Sequence, residues 1–519
     1  MNPLLCGGNW HIPIMNGIAF SCQRLVALSP LVAASLVLAG CGREGGTSAG
    51  TPPQASASRR APARYPKLQA ELDNLLQAPL EHDPTKRPLI LSEREGKRRD
   101  WALRALERGY AQGGGTNKLW DSQMHAACRA YVDYTRGGAA DRQYAALTNA
   151  VLAAAAVGCR DPMLQYMQVR YGLVDTTASP DHYALTSLHA FRAMLGSHHH
   201  PVFKFIAGYR AVEASRAPDI KSNPGGATDL VTAALEDLAR DTNAPPEEVF
   251  EAAVLWLEFT RAKGWVDYVC RNLQGIMQRH WGDHEAYFRW LGLAEYKRAW
   301  DERGTGFANT VKEAGFERFG QHLKLAQAAL EASWQMNPSN AYTAYLMMQV
   351  ELGQGQGRTR MQQWFDRAIT LATNYYDAAK LMSFYLEPRW YGSEDEALEF
   401  ARSCVTSTNV GGRVPLVLPD VHHSLAAYQK LKDSPEYWHR SEVWDDVRSA
   451  YDRFFALNPD ASAYRHDYAL DAYLCGHYAE FLAQAKVFPW TNFQYFGGED
   501  KFRQMLVRAA AAKPDAPLK

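Results

Sequence analysis

The chain has 519 residues, 47% of them hydrophobic, and its 56 basic and 56 acidic side chains give no net charge. A balanced charge provides no global basic field, which argues against nucleic acid as the main partner. The length suits several ordinary domains or one long helical array, with enough apolar residues for an extended core.

The first forty residues have the features of an export signal. The apolar run Leu25–Leu38 follows Arg24 and is too short to cross a membrane comfortably. It leads into Leu38-Ala39-Gly40-Cys41, which resembles the lipobox of bacterial lipoproteins. The resemblance implies that residues 1–40 are a signal peptide, cleaved between Gly40 and Cys41, and that Cys41 is lipidated. A plain secretory signal or a buried helix is the alternative.

Residues 41–65 are predicted to form a disordered linker, because they are rich in Gly, Ser, Thr, Ala and Pro. Acyl chains at Cys41 would anchor the protein stably to a membrane. Gly42 follows the lipid cysteine in place of aspartate, which by the same resemblance favours the outer membrane, facing the periplasm. Met15 is a candidate start, since the residues before it contain no basic segment.

Helical patterns dominate from Pro66 onward, without a convincing run of alternating strand residues. Glycine and proline divide these patterns into separate helices. The predicted helices of this part are Leu68–Gln77, Trp120–Tyr134, Tyr144–Val157, Pro162–Tyr171, Asp181–Leu195, Val202–Ser215, Asp229–Arg240 and Pro246–Ala262. We assign residues 66–282 to an N-terminal helical-repeat region and residues 283–519 to a C-terminal domain.

The C-terminal domain contains a repeat typical of tetratricopeptide (TPR) hairpins. Ala326, Leu330 and Ser333 have the small–large–small spacing of a second TPR helix, which Pro338 ends. The layout recurs about 35 residues later at Met361, Phe365 and Ala368, and more loosely at Ala397, Ala401 and Cys404. Such a period indicates stacked hairpins, none of which can bury its apolar face alone.

Further helices extend the array on both sides of this repeat. The array begins with the predicted helix Glu285–Trp300. A later helix, Ala450–Pro459, ends at its proline, and the last helix is Lys501–Ala511. A further hairpin, with its turn at Gly476, lies between these last two helices. The sequence therefore predicts an all-α superhelical array of TPR-like antiparallel hairpins.

Several segments resemble a bacterial family of TPR-like proteins catalogued as a domain of unknown function. They include PRWYGS, VWDDVRSAYDRFFALNPD, YALDAYLCG and FGGEDKFRQML. The resemblance covers roughly Leu103–Arg508 and is strongest from Trp290 onward. It implies the repeat fold, and it transfers no catalytic residues because no activity is established for that family.

Three groups of histidines resemble metal ligands: His198–His200, His280 with His284, and His422 with His423. The first is interpreted as a solvated loop, because adjacent histidines cannot all face one ion from a regular helix. Gly282 favours a turn between the second pair. Capping of a helix by Asp420, with one packed histidine, explains the third. We therefore predict neither a metal nor a cofactor.

Five cysteines lie beyond Cys41, namely Cys128, Cys159, Cys270, Cys404 and Cys475. Their number is odd, no C-x-x-C pair occurs, and each falls on an apolar helical face. This pattern predicts buried thiols rather than a disulfide framework. A bond between Cys128 and Cys159 stays open, since neighbouring helices could bring them together.

Two loops are candidate binding sites. Arg389, Trp390 and Tyr391 stand side by side and offer a charge, a cation–π surface and a hydroxyl, a combination frequent at binding hot spots. Alternatively, Trp390 fills a gap between hairpins and Arg389 pairs with a neighbouring acid. The second loop, Arg303 to Phe307, interrupts the array with two glycines.

The leading hypothesis is a membrane-anchored protein, not an enzyme, that binds another protein or peptide in the cell envelope as a scaffold or assembly factor. It rests on the repeat array and on the lack of a complete catalytic motif in the sequence. The alternative is an envelope enzyme, such as a metal-assisted hydrolase, with a site in a cleft between helical halves. A purely structural lipoprotein is the third hypothesis.

Overall fold

The computed structural model describes residues 93–113, 116–136, 141–171, 180–215, 226–261, 266–304, 310–459, 461–488 and 493–512. The predicted signal cleavage site at Gly40, the lipidation site at Cys41, the linker and the helix Leu68–Gln77 lie outside these residues. Phe307 does as well.

Within the described ranges every regular element is helical, which confirms the predicted all-α class. The α-helices are α1 (Glu93–Gln112), α2 (Asp121–Arg136), α3 (Asp141–Ala156), α4 (Pro162–Arg170), α5 (Pro180–Leu195), α6 (Pro201–Ala214), α7 (Ala227–Arg240), α8 (Pro246–Arg261), α9 (Val266–Trp281), α10 (Glu285–Arg303), α11 (Glu313–Met336), α12 (Ala341–Gln354), α13 (Arg358–Leu371), α14 (Tyr376–Tyr385), α15 (Glu394–Thr406), α16 (Val417–Tyr428), α17 (Pro435–Trp438), α18 (Ser441–Leu457), α19 (Arg465–Leu474), α20 (Tyr478–Ala485) and α21 (Glu499–Ala511). None of these helices combines the length and the apolar character that a membrane span requires.

Helices α2 to α8 begin and end within a few residues of the predicted bounds. Within residues 66–282, two described helices, α1 and α9, were not predicted. The first begins with a run of charged residues and the second contains Gly275, and both features weaken a helical pattern in the sequence.

Side-chain caps and glycines set the helix ends. Asp161 accepts a hydrogen bond from the backbone N–H of Met163 at 2.8 Å and so caps α4. Asn340 accepts one from the N–H of Tyr342 at 3.0 Å to begin α12. Gly355 ends α12 in the left-handed region, at φ 62°. The two capping side chains accept hydrogen bonds from N–H groups that the helix itself leaves without partners. The glycine ends its helix because it readily adopts the left-handed conformation.

Consecutive helices pack as hairpins, and the closest pairing joins α10 to α11. Ala326, Leu330 and Ser333, the predicted TPR packing positions, have no exposed surface. Gly292 of α10 permits the close approach, because a Cβ there would lie 2.7 Å from Leu330 Cδ2 and 3.2 Å from the Ala326 carbonyl oxygen. The predicted array of TPR-like hairpins is therefore confirmed.

The chain forms two compact units. The larger contains described residues 93–432 and 448–459, and the smaller contains residues 433–447 and 461–512. The smaller unit has a core of packed phenylalanine rings, in which Phe496 and Phe502 lie 4.5 Å apart beside the fully buried Leu506. The predicted domain boundary after residue 282 stays a prediction.

A buried ion-pair network joins α1, α2 and α8 within the larger unit. Arg98 donates two hydrogen bonds to Glu251 at 2.8 Å and two to Glu248, at 3.0 and 3.3 Å. Arg136 donates two more to Glu248, at 2.8 and 3.0 Å. Burial alone would raise the pKa of Glu248, but the two guanidinium groups outweigh it and lower the pKa to about 2.

Replacing Gly292 with alanine is expected to lower the free energy of unfolding by about 1–3 kcal/mol, the usual cost of overpacking. The added methyl group would collide with Leu330 and the α11 backbone. Urea denaturation measures the loss. Gly320→Ala in α11 is the matched control, because a Cβ there meets nothing within 4 Å and the substitution favours a helix by up to about 1 kcal/mol. Equal losses at the two positions would contradict the close-packing role.

Acid is expected to destabilise the protein through Glu248 as the pH falls from 4.5, the ordinary pKa of a glutamate, towards 2. A carboxyl whose pKa is depressed by folding contributes its stability fully above the unfolded value and loses it below. Glu248→Gln should remove this part of the pH dependence and cost about 3–5 kcal/mol at pH 7, because two buried cations lose their counter-charge.

Urea denaturation at several pH values tests this expectation. Asp452→Asn is the control, since Asp452 pairs with Arg448 at 3.7 Å in an exposed position, where a pair is worth about 1 kcal/mol or less. A Glu248→Gln variant with the acid sensitivity of the wild type would rule out the network as the cause.

Candidate functional site

Alternate helices of the larger unit form a continuous inner layer. The even-numbered helices α2 to α16 each contact the next even-numbered helix as well as their neighbours in sequence. In helical-repeat proteins this succession of helices lines the surface used for binding. The inner layer is therefore the first place to look for a site.

Two helices of the inner layer are enclosed on almost every side. Residues 292–297 of α10 and residues 343–352 of α12 are all buried. A helix at a protein surface normally keeps a polar stripe in water. Side chains from other helices must therefore cover the inner faces of α10 and α12. Phe250 of α8 does so, because its ring reaches across α10 to Tyr342 of α12, with 5.4 Å between ring centroids.

We call the aromatic cluster formed by Phe250, Tyr342, Tyr345, Tyr375 and Tyr376 the tyrosine face; Phe250 and Tyr345 are buried in it, and the other three rings are partly exposed. The Tyr342 and Tyr345 ring centroids are 5.9 Å apart, and those of Tyr345 and Tyr375 are 5.3 Å apart. The rings therefore run without interruption from α8 to the start of α14.

Positive groups lie on the rings at both ends of the tyrosine face. The guanidinium carbon of Arg289 is 4.4 Å from the Phe250 ring centroid, and that of Arg413 is 4.1 Å from the Tyr376 ring centroid. Arg289 also pairs with Glu285 at 3.4 Å. These distances are typical of cation–π contacts.

The phenol hydroxyls of the tyrosine face differ in their partners. Tyr376 donates a hydrogen bond to Asp420, which also pairs with Lys380 at 3.1 Å. The Tyr342 hydroxyl is buried and has no hydrogen-bond partner among the described residues. Burial raises the pKa of both phenols well above the ordinary value. At neutral pH they are protonated and act as hydrogen-bonding groups.

Asp377 places a carboxyl beside these tyrosines. Burial raises its pKa above the ordinary value, and the charges of Arg413 and Lys380 oppose that effect. Acidic and basic groups thus alternate along this end of the inner layer. Such a surface can hydrogen-bond to polar groups and stack against flat or aliphatic ones, without attracting one sign of charge.

The structure brings the predicted binding residues Arg389, Trp390 and Tyr391 together in the loop between α14 and α15. Arg389 pairs with Glu387 and donates a hydrogen bond to Ser424. Burial raises the pKa of Glu387, although the Arg389 charge opposes that shift. Arg389 therefore has the neighbouring acid that the alternative interpretation requires.

Trp390 and Tyr391 also contact neighbouring helices. The Trp390 ring lies 5.4 Å from that of Phe384, and the Tyr391 ring lies 4.7 Å from that of Tyr385. Tyr391 donates a hydrogen bond to the Leu352 carbonyl at 3.1 Å, yet 46% of its surface is exposed. The loop thus fills space between hairpins and still presents one aromatic ring to solvent. Its role in binding stays a prediction.

The other candidate, Arg303, is at the end of α10. Its guanidinium carbon lies 5.3 Å from the Trp300 ring centroid and 5.8 Å from that of Phe316. It also donates a hydrogen bond to the Gly304 carbonyl at 3.2 Å. Burial lowers the pKa of Arg303 from its ordinary value.

The prediction of a solvated loop at His198–His200 is wrong for His199 and His200. His199 is 2% exposed, and its Nε2 lies 2.8 Å from the Asp161 carboxylate. His200 caps α6, and its Nε2 lies 2.8 Å from Asp241. His199 is buried because the loop passes directly over Gly109 of α1, where a Cβ would lie 2.7 Å from the His199 Cα. His198 remains exposed.

His280 and His284 line a surface pocket of about 690 Å³ at the turn between α9 and α10. The predicted turn at Gly282 is present, and His284 caps α10 by accepting a hydrogen bond from the Ala286 N–H at 3.1 Å. Across the described ranges, no three His, Cys, Asp or Glu side chains converge as metal ligands would.

The third histidine group, His422 with His423, agrees with its interpretation except for the role of Asp420. His422 is buried, as expected of a packed histidine. Asp420 does not cap α16, because it lies within the first turn and binds Tyr376 instead.

All five described cysteines are buried free thiols, and Cys128 is not bonded to Cys159. This confirms the prediction of buried thiols. Burial raises the pKa of Cys270 and Cys404 to about 12.

The tyrosine face was not predicted from the sequence. Tyr342 and Tyr345 stand three residues apart, which places them on one side of a helix. The same spacing is common on core helices, so it does not show which side faces the inner layer. The contact between Phe250 and Tyr342, which are far apart in sequence, shows which side of α12 faces the inner layer.

No protein-family model and no curated protein matches the chain. The resemblance to the TPR-like family of unknown function therefore stays a prediction. Among solved structures, the chain is similar to the human IFIT1 dimer with m7Gppp-AAAA, at 11% identity and a TM-score of 0.30. The match covers 72% of this chain and 96% of that one, and likeness at this level carries no argument about function.

Tyr376→Phe is expected to lower the free energy of unfolding by about 1–2 kcal/mol, because it removes the hydrogen bond to Asp420. Tyr342→Phe should leave the free energy unchanged or raise it slightly, since that hydroxyl has no partner in the described chain. Urea denaturation of the two variants measures the difference. An equal loss of unfolding free energy in the Tyr342→Phe variant would mean that the Tyr342 hydroxyl already forms a stabilising hydrogen bond within the fold.

Proposed function

We propose that the protein is a lipid-anchored helical-repeat scaffold of the bacterial cell envelope, and that it binds a protein or peptide segment on the inner layer of its larger unit. The tyrosine face is the observation that carries this proposal. It places a row of phenol groups along the inner layer, and the Tyr342 hydroxyl has no hydrogen-bond partner in the described chain.

The chemistry of the tyrosine face suits a polypeptide. Phenol hydroxyls hydrogen-bond to backbone amides, and aromatic rings bury aliphatic or aromatic side chains at a small entropic cost. Arg289 pairs with Glu285 and Lys380 pairs with Asp420, so the cations beside the rings are balanced by acids. A nucleic acid would instead favour an excess of basic groups.

The lipobox-like sequence ending at Cys41 supports the envelope location, with the folded units facing the periplasm. The exposed ring of Tyr391 makes the loop between α14 and α15 the second candidate contact for the same partner.

In-cell photo-crosslinking tests the binding surface. A benzoyl-phenylalanine crosslinker replaces one tyrosine at a time, at position 342 on the inner layer, at position 391 in the loop, or at position 268. Tyr268 is the control because it is 63% exposed on α9, outside the inner layer. Circular dichroism checks that each variant folds. Position 342 is expected to give a discrete adduct with another polypeptide, and position 268 should give none.

Adducts from position 391 alone would move the site to the loop and overturn the tyrosine-face assignment. Equal labelling from all three positions, or none from any, would overturn specific binding altogether. Anchoring is tested separately with Cys41→Ser, which should release the protein from the membrane fraction.

A further inference from the structure

The turn between α9 and α10 forms a pocket that the proposed function does not use. The pocket has a volume of about 690 Å³ and opens to solvent, and its lining includes Gln278, Asp283, His284 and Phe288. That volume lies within the range of small-ligand pockets, roughly 300–1,000 Å³. Each of these side chains is exposed or partly exposed, so a ligand in the pocket can reach it.

Contacts with α7 and within the turn fix the walls of the pocket. The Trp281 indole N–H donates a hydrogen bond to the Ala239 carbonyl of α7 at 2.7 Å. Gly282 permits the tight turn, because a Cβ there would lie 2.6 Å from the Gln278 carbonyl oxygen. A pocket whose walls are held in this way needs little rearrangement when a ligand binds.

The polar side chains of the lining offer both donors and acceptors. His284 Nδ1 accepts a hydrogen bond from the Ala286 N–H at 3.1 Å, so Nε2 carries the hydrogen of the neutral ring. No described group accepts a hydrogen bond from this Nε2 atom. The Asp283 carboxylate is an acceptor that pairs with no described cation, and the exposed Gln278 amide supplies one group of each kind.

The charges around the pocket do not favour a strongly charged ligand. Arg279 belongs to the lining, but it already pairs with Glu236 of α7 at 2.7 Å. The same carboxylate lies 3.8 Å from His280 Nε2. With Asp283 also present, carboxylates alternate with the guanidinium and the imidazoles, and neither sign of charge is offered alone.

An aromatic ring completes the lining. Phe288 is partly exposed in the pocket, and its ring centroid lies 5.3 Å from that of Tyr287. The face of an aromatic ring carries partial negative charge, so it attracts the C–H groups of a sugar ring, which the adjacent hydroxyls make partly positive. A sugar also presents hydroxyls, each of which donates and accepts hydrogen bonds.

We propose that this pocket binds a neutral saccharide, whose C–H face packs on the Phe288 ring while its hydroxyls hydrogen-bond to His284 and Asp283. An aliphatic chain would leave the polar groups without partners, and an ion would not use the ring. The site stands on residues outside the tyrosine face, so it does not depend on the proposed function.

Saturation-transfer NMR of the full chain tests the proposal, in a zwitterionic detergent that has no sugar head group. Maltose and N,N′-diacetylchitobiose are the saccharide probes, and acetate is the anionic probe. The wild type should give a saturable signal with at least one disaccharide and none with acetate. Phe288→Leu and His284→Asn should each weaken the apparent affinity by about fivefold or more, the effect of losing one ring contact or one hydrogen bond.

His284→Asn separates binding from folding, because asparagine also caps a helix and so preserves α10. Phe316→Leu is the matched control, since Phe316 is 40% exposed on α11 and outside the pocket lining, and it should bind as the wild type does. Circular dichroism checks that each variant folds.

A wild type that gives no saturable signal with either disaccharide, or that binds acetate instead, overturns the proposal. Folded Phe288→Leu and His284→Asn variants that bind as tightly as the wild type overturn it as well, because the saccharide would then lie elsewhere on the protein.

Discussion

The architecture depends on the inability of a single helix hairpin to bury its own apolar side. Each hairpin must be covered by the next, and the contact is closest where Gly292 lets α10 approach α11. Repetition of this contact aligns every second helix into an inner layer. As the layer closes, α10 and α12 lose their exposed stripes and become enclosed.

Enclosure has an electrostatic consequence, because a buried charge is costly unless another charge or a hydrogen bond compensates it. Glu248 meets this requirement through Arg98 and Arg136. Arg289 meets it through Glu285 and the Phe250 ring. Several other buried polar atoms of the described chain have no hydrogen-bond partner, and the Tyr342 hydroxyl is one of them. Because Tyr342 lies in the inner layer, peptide binding is proposed there.

Local patterns predicted the helices well, since apolar periodicity and capping residues act over a few positions. They were less informative about sites. The His198–His200 loop looks solvated in sequence, but Asp161 and Asp241 come to it from other parts of the chain. The Arg389–Tyr391 loop contains the residues of a binding hot spot, and yet Arg389 pairs with Glu387 inside the loop.

The sequence by itself determined the all-α class, the TPR-like period and most helix bounds, because each is encoded by residues within one or two helical turns. It also supplies the lipobox-like segment ending at Cys41. The tertiary structure alone decided which helix faces turn inwards, how Arg98 reaches Glu248 across 150 residues, and where Phe250 meets Tyr342. Periodicity gives the spacing of side chains on one helix, whereas a site formed by several helices depends on how they stack.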